Sequence, residues 1–147
     1  MLNAVGSAIS GADALLMSAA PADERPVRRA SEKIGKEGFG SSIEIEPNPD
    51  ILATVAASKG SMVILAFAAE TSVSEEIARN KMKRKGADLL FANPAGDGKG
   101  FGEVRTGGLL VVADRDGALT IADVSKESLA EILVDEVVDA LNRKTGC

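Results

Sequence analysis

The sequence predicts an α/β fold, a three-layer arrangement in which a parallel sheet is covered by helices on both faces, followed by an antiparallel hairpin towards the C-terminus. Three observations predict it. Strand-length runs and helical patterns alternate between residues 12 and 92. The runs Ala12–Ala20, Met62–Ala68 and Ala87–Ala92 are almost wholly apolar instead of alternating, as strands buried on both faces are. Finally, Leu109–Ala113 and Ala118–Ala122 flank Asp114-Arg115-Asp116-Gly117, a hairpin pattern with a glycine-containing turn.

The elements follow in order. Leu2, Val5 and Ile9 recur at helical spacing, and Gly11 can end that short helix. Pro21 to Gly40 carries two prolines, three glycines and many charges, so it reads as a long loop; loops of that length are usually functional or disordered. Ser42–Glu46 alternates as a strand does. Asn48-Pro49-Asp50 can start a helix that ends by Gly60. Thr71–Lys85 is helical, with Glu75 and Arg79 placed to pair one turn apart and Gly86 as its stop. Asn93–Gly102 is a glycine-rich loop. Leu129, Ile132, Leu133, Val137 and Leu141 form one face of a closing helix. One domain spanning 1–147 accounts for all of this.

Composition narrows the function. The chain has 147 residues, 45% of them hydrophobic, and a net charge of -5; it can bury a core but lacks the basic face of a sequence-independent nucleic-acid binder. It has no Trp or Tyr and four Phe, so base stacking on exposed aromatics is nearly unavailable. The absence of His removes Ser-His-Asp and Cys-His nucleophile systems and most zinc sites. The single Cys147 is the last residue and forms no internal disulfide, which fits a reducing compartment. No apolar run approaches the about 20 residues that span a bilayer, and no secretory signal is visible. The expectation is a cytoplasmic protein without membrane or nucleic-acid partners.

In a sheet of this kind ligands sit beyond the carboxyl ends of the strands, which directs attention to segments 19–25, 47–51, 67–72 and 92–102. Gly96-Asp97-Gly98-Lys99-Gly100-Phe101-Gly102 does not make a phosphate loop, because Lys99 is followed by glycine and a strand instead of Ser or Thr and a helix. Lys81 and Lys85 share a helix face and Lys33 and Lys36 lie in the long loop; converging ammonium groups suit a triphosphate, while a solvated basic helix end is the plainer reading. Asp23 after a strand suits Mg2+ beside phosphates, or simply a loop.

Several segments together resemble one family. Ala19-Ala20-Pro21-Ala22-Asp23-Glu24-Arg25-Pro26, Glu32-Lys33-Ile34-Gly35-Lys36, Asn48-Pro49-Asp50-Ile51-Leu52, Phe67-Ala68-Ala69-Glu70-Thr71, Ala78-Arg79-Asn80-Lys81 with Lys85-Gly86-Ala87-Asp88-Leu89, Ala92-Asn93 and Gly100-Phe101-Gly102 are similar, in order and spacing, to motifs of the CTP-dependent phosphopantothenate–cysteine ligases (phosphopantothenoylcysteine synthetases), the C-terminal half of the bacterial bifunctional coenzyme A enzyme. The resemblance implies a Rossmann-like fold, and a reaction in which CTP activates 4'-phosphopantothenate as an acyl-cytidylate before cysteine displaces CMP. Backbone at Ala19 and Ala20 would read the cytosine. Asp23 would hold Mg2+ on the triphosphate. Lys33, Lys81 and Lys85 would neutralise phosphate oxygens, with Lys33 near the reacting centre. Pro49, Asp50 and Ile51 would contact the nucleotide through a tight turn, and Phe67 would pack beside it. The family also implies a homodimer, with residues 109–122 as a candidate contact.

There are departures. Glu24 replaces an aromatic residue, Gly35 a lysine and Pro94 an aspartate, and Glu103–Gly107 differs from the usual Ser-Asp-x-Asn. The glycine-rich first strand and the Asn-x-Ser-Ser-Gly-Lys-Met-Gly segment that open the family domain are absent from this sequence. On that resemblance the first strands of the sheet would be missing or supplied by another chain. That leaves a second expectation beside the enzyme: a non-catalytic nucleotide-binding or dimerising module that needs the opening segment for activity. A third is an unrelated parallel-sheet protein using the same strand-end geometry for another phosphate-bearing ligand.

Overall fold

Apolar strands that can be covered on both sides become the centre of the computed structural model, which describes residues 1–35, 42–96 and 105–146. The described elements are α1 (Leu2–Ala8), β1 (Ala14–Met17), β2 (Glu24–Pro26), β3 (Ile45–Pro47), α2 (Ile51–Ala56), β4 (Val63–Glu70), α3 (Glu75–Lys85), β5 (Leu89–Pro94), β6 (Thr106–Val112), β7 (Leu119–Val124) and α4 (Lys126–Thr145). They form two compact units, residues 19–50 and the rest.

In the larger unit a five-stranded sheet runs in the order β1-β4-β5-β6-β7. β1, β4 and β5 are parallel; β6 and β7 add to the sheet in antiparallel fashion. The expected C-terminal hairpin is therefore present as a continuation of the main sheet. Side-chain alternation divides the core in two. Ile64, Ala66, Ala68, Leu90, Ala92 and Val111 face α2 and α3, against Val55, Ala78 and Met82, with Leu2, Val5 and Ile9 of α1 packed at the margin. Val63, Leu65, Leu89, Phe91, Leu110 and Val112 face Leu133, Val137 and Ala140 of α4. Val63, Ile64, Leu65, Leu89, Leu110 and Val111 have no exposed surface, which is why both faces of these strands read as apolar.

Helix ends obey local chemistry. Ser74 caps α3 by accepting from the Ile77 amide, Ser125 caps α4 by accepting from the Ser128 amide, and Gly86 and Gly146 close the two helices in the left-handed conformation. A Cβ on Gly86 would also fall 2.7 Å from the Ala56 Cβ. The expected Glu75–Arg79 pair forms at 2.7 Å, and Arg79 continues across to the hairpin, donating to the carbonyls of Val112, Arg115 and Gly117.

At the amino ends of the strands, Asp88 joins Lys59 (2.7 Å), Lys144 (2.8 Å) and the Ile64 amide (2.8 Å). Partial burial pushes the Asp88 carboxyl up, but hydrogen bonds from Lys144, Lys59 and Ile64, with the Lys59 charge, hold it below its ordinary value.

Residues 19–50 correct one sequence expectation: the stretch from Pro21 to Gly40, expected as a loop, contains β2, which pairs antiparallel with β3 at the end of the expected strand Ser42–Glu46. The physical reason is polarity: Ile43 and Ile45 are exposed, and Glu46 is bound to Arg25 at 2.7 Å, so this alternating segment has no face suited to a doubly covered strand. No described helix is long and apolar enough to cross a membrane.

Candidate functional site

The carboxyl ends of β1, β4 and β5 share an edge of the sheet with the start of the antiparallel β6 and the start of α4. On the α4 face of that edge lies a cleft of about 420 Å³, within the range of small-molecule sites. Leu16, Ser18, Phe67, Phe91, Asn93 and Thr106 line it from the strands, and Lys126, Leu129, Ala130, Leu133 and Val134 from the helix. Phe67 and Phe91 meet edge to face, ring centres 6.3 Å apart at 73°, and so stiffen the wall. The floor is apolar; Ser18, Asn93, Thr106 and Lys126 supply polar groups.

The walls depend on glycine. At Gly108 a Cβ would collide with the Ala92 carbonyl and come 2.9 Å from the Phe91 ring, so β6 can approach β5 closely only without a side chain there. On its other side β6 pairs with β7, with a register irregularity between Thr106 and Gly108.

The opposite face of the same edge carries a cation. Lys81 of α3 sits beside the buried Ala78 and Met82, and its ammonium reaches Glu70, the last residue of β4, at 2.6 Å. Lys85 is half-buried one turn further along α3, next to Gly86, whose carbonyl accepts from Lys59. Lys85 is therefore closer to the amino ends of the strands than Lys81 is.

Residues 19–50 hold a second cluster. Ala19, Ala20, Asp23, Lys33, Pro49 and Asp50 are all exposed. The Asn48 amide N–H donates to the Asp23 carbonyl at 2.7 Å, its side-chain nitrogen donates to the Ala22 carbonyl at 2.9 Å, and Arg25 reaches its side-chain oxygen at 3.5 Å. Asn48 thereby ties the Asp23 segment to the Pro49-Asp50 turn. Ile51 opens α2 with a buried side chain, which leaves its backbone as the part able to meet a ligand. Lys36, Lys99, Gly100, Phe101, Gly102 and Cys147 lie outside the described residues.

Among the described residues, no group of three or more Asp, Glu or Cys side chains is placed to hold a metal ion. Asn48 and Glu70 were not singled out as site residues from sequence. The asparagine looked like a helix start, and a glutamate at a strand end gives no signal until its partner is located.

The model of the family described as "DNA/pantothenate metabolism flavoprotein C-terminal domain" matches residues 1–141. The chain belongs to this family. It is 36% identical to the coenzyme A biosynthesis bifunctional protein CoaBC of Mycobacterium tuberculosis, covering 100% of this chain and 37% of that protein. It is equally 36% identical to the CoaBC protein of Escherichia coli, covering 96% of this chain and 36% of that one. The crystal structure of the C-terminal domain of a CoaBC protein superposes with a TM-score of 0.73 at 25% identity, over 97% of this chain and 61% of that one. The chain thus spans about a third of the length of the curated relatives it matches. The mixed five-stranded sheet with helices on both faces is the fold of that solved domain.

Proposed function

We propose that this chain is the CTP-binding catalytic portion of a phosphopantothenate–cysteine ligase, acting in coenzyme A synthesis. The observation that carries this reading is the position of the family's motif residues, with Phe67 in the wall of a cleft at the carboxyl edge and Lys81 at that same edge. Relatives named as coenzyme A biosynthesis proteins support it.

In the first step a carboxylate oxygen of 4'-phosphopantothenate attacks the α-phosphorus of CTP, a P–O bond breaks and pyrophosphate leaves. In the second, the amine of cysteine attacks the acyl carbon, CMP leaves with the bonding electron pair, and the amine loses its proton. Negative charge builds on the pyrophosphate as it departs, and positioned cations stabilise it there. Lys81, Lys85 and Lys33 supply those cations, with Lys33 also near the reacting centre. Ala19 and Ala20 read the cytosine through backbone groups, Pro49, Asp50 and Ile51 contact the nucleotide, and Phe67 packs beside it. Asp23 would hold the Mg2+ that accompanies CTP, which would screen charge on the triphosphate. A cation bound mainly through phosphates needs only one or two protein carboxylates, which suits a lone aspartate held by Asn48. No nucleophilic side chain is required, in keeping with a chain without His. The enzyme works as a cytoplasmic homodimer.

Titration with CTP and Mg2+ by calorimetry tests the reading, with saturable binding expected and a weaker response to ATP; equal response to both sinks it.

A further inference from the structure

We propose that Glu70 is a positioning residue that holds the Lys81 ammonium at the carboxyl end of β4, ready for a phosphate oxygen. The inference rests on the reading that Lys81 contacts phosphate.

Three observations carry it. First, Lys81 shares the sheet-facing stripe of α3 with Ala78 and Met82, which are each 2% exposed. An ammonium in such a place must find a partner or turn outward to water. Glu70 supplies that partner at 2.6 Å, with both side chains about one-quarter exposed. Second, Glu70 is fixed at its backbone as well. Its neighbour across the sheet is Pro94, and the Ala95 amide donates to the Glu70 carbonyl at 2.9 Å, the ordinary slanted bond of a parallel pair. The carboxylate thus projects from a pinned strand end. Third, the parity of β4 puts Glu70 on the same face as Ala66 and Ala68, the face that α3 covers, so the pairing follows from strand and helix register.

An ammonium has three donors. One is used by Glu70, and two can serve a ligand. Holding the long side chain in place beforehand removes much of the ordering cost that a mobile lysine would incur on binding. A purely electrostatic view predicts the opposite, because Glu70 also brings negative charge near the phosphates.

A double-mutant cycle on the full chain separates these views. CTP with Mg2+, and cytidine as the phosphate-free control, are titrated into wild type, Glu70→Ala, Glu70→Gln, Lys81→Ala and the Glu70→Ala/Lys81→Ala double variant. The expected results are at least a tenfold loss of CTP affinity in Glu70→Ala, a loss within threefold in Glu70→Gln, which keeps an acceptor oxygen, and unchanged cytidine binding. The double variant should be no weaker than Lys81→Ala. If Lys81→Ala binds CTP as wild type does, the phosphate reading of Lys81 fails and this proposal falls with it. If Lys81→Ala weakens binding while Glu70→Ala does not, tightens it, or adds its own loss to that of Lys81→Ala, the proposal alone is overturned. Should Glu70→Ala fail to fold, Glu70→Gln decides: equal loss of CTP and cytidine affinity marks a structural role and overturns it.

Discussion

Lys144, near the end of α4, donates to Asp88 across 2.8 Å, and Lys59 reaches the other oxygen of the same carboxylate at 2.7 Å. One half-buried aspartate therefore ties the last helix and the loop before β4 to the start of β5. Asp88→Ala leaves two ammonium groups and the Ile64 amide without that partner. We expect a loss of about 2–3 kcal/mol, using the value of hydrogen bonds to charged groups, read from urea unfolding.

The same site sets a pH dependence. The folded carboxyl lies below its ordinary value of 3.8, so the native state favours the charged form. Its contribution is fully present above the unfolded value and is lost as pH falls through the folded one. Acid unfolding followed by circular dichroism should be steeper below about pH 4 in wild type than in Asp88→Asn, given ordinary carboxyl values. Parallel curves would contradict this.

Arg79 fastens α3 to the β6–β7 turn through three carbonyls. Arg79→Ala should cost about 1–2 kcal/mol. Arg79→Lys should not restore it, because one ammonium cannot reproduce the planar fork. Thermal melts of both variants check this.

Gly108→Ala should destabilise the protein by about 1–3 kcal/mol, the usual range for overpacking, since the new methyl meets backbone that cannot rotate away. Phe91 forms part of the cleft, so ligand affinity should fall as well. Gly86→Ala, at a φ of 64°, should lower stability and leave affinity nearly unchanged.

The combined Lys81→Ala, Lys85→Ala variant should weaken CTP binding by about 2–4 kcal/mol if both lysines touch phosphate. Calorimetry against wild type measures it. A loss confined to Lys81→Ala would remove Lys85 from the phosphate contacts.

Much of the fold was legible in the sequence because burial on both faces leaves a compositional mark. Met62–Ala68 and Ala87–Ala92 overlap most of β4 and β5, and Gly86 and the Glu75–Arg79 spacing located α3. The β2–β3 pairing was not legible. Glu24-Arg25-Pro26 carries no apolar pattern, and its partner strand, joined by the ladder and an Arg25–Glu46 ion pair, lies 21 residues away in sequence. The cleft was legible only as an edge of the sheet; its aromatic wall depends on Phe67 and Phe91 both facing α4. Glu70 and Asn48 gain meaning only once their contacts are known, since a carboxylate at a strand end or an amide before a helix carries no local signal of its partner.

The central claim is that this chain binds CTP through its triphosphate. Calorimetric titration of the full chain with CTP and Mg2+, repeated with Lys81→Ala, tests it most directly. The account predicts saturable binding to wild type that weakens about tenfold or more in the variant, the scale of one charged hydrogen bond. Absence of CTP binding to wild type, or identical isotherms for the two proteins, would contradict it.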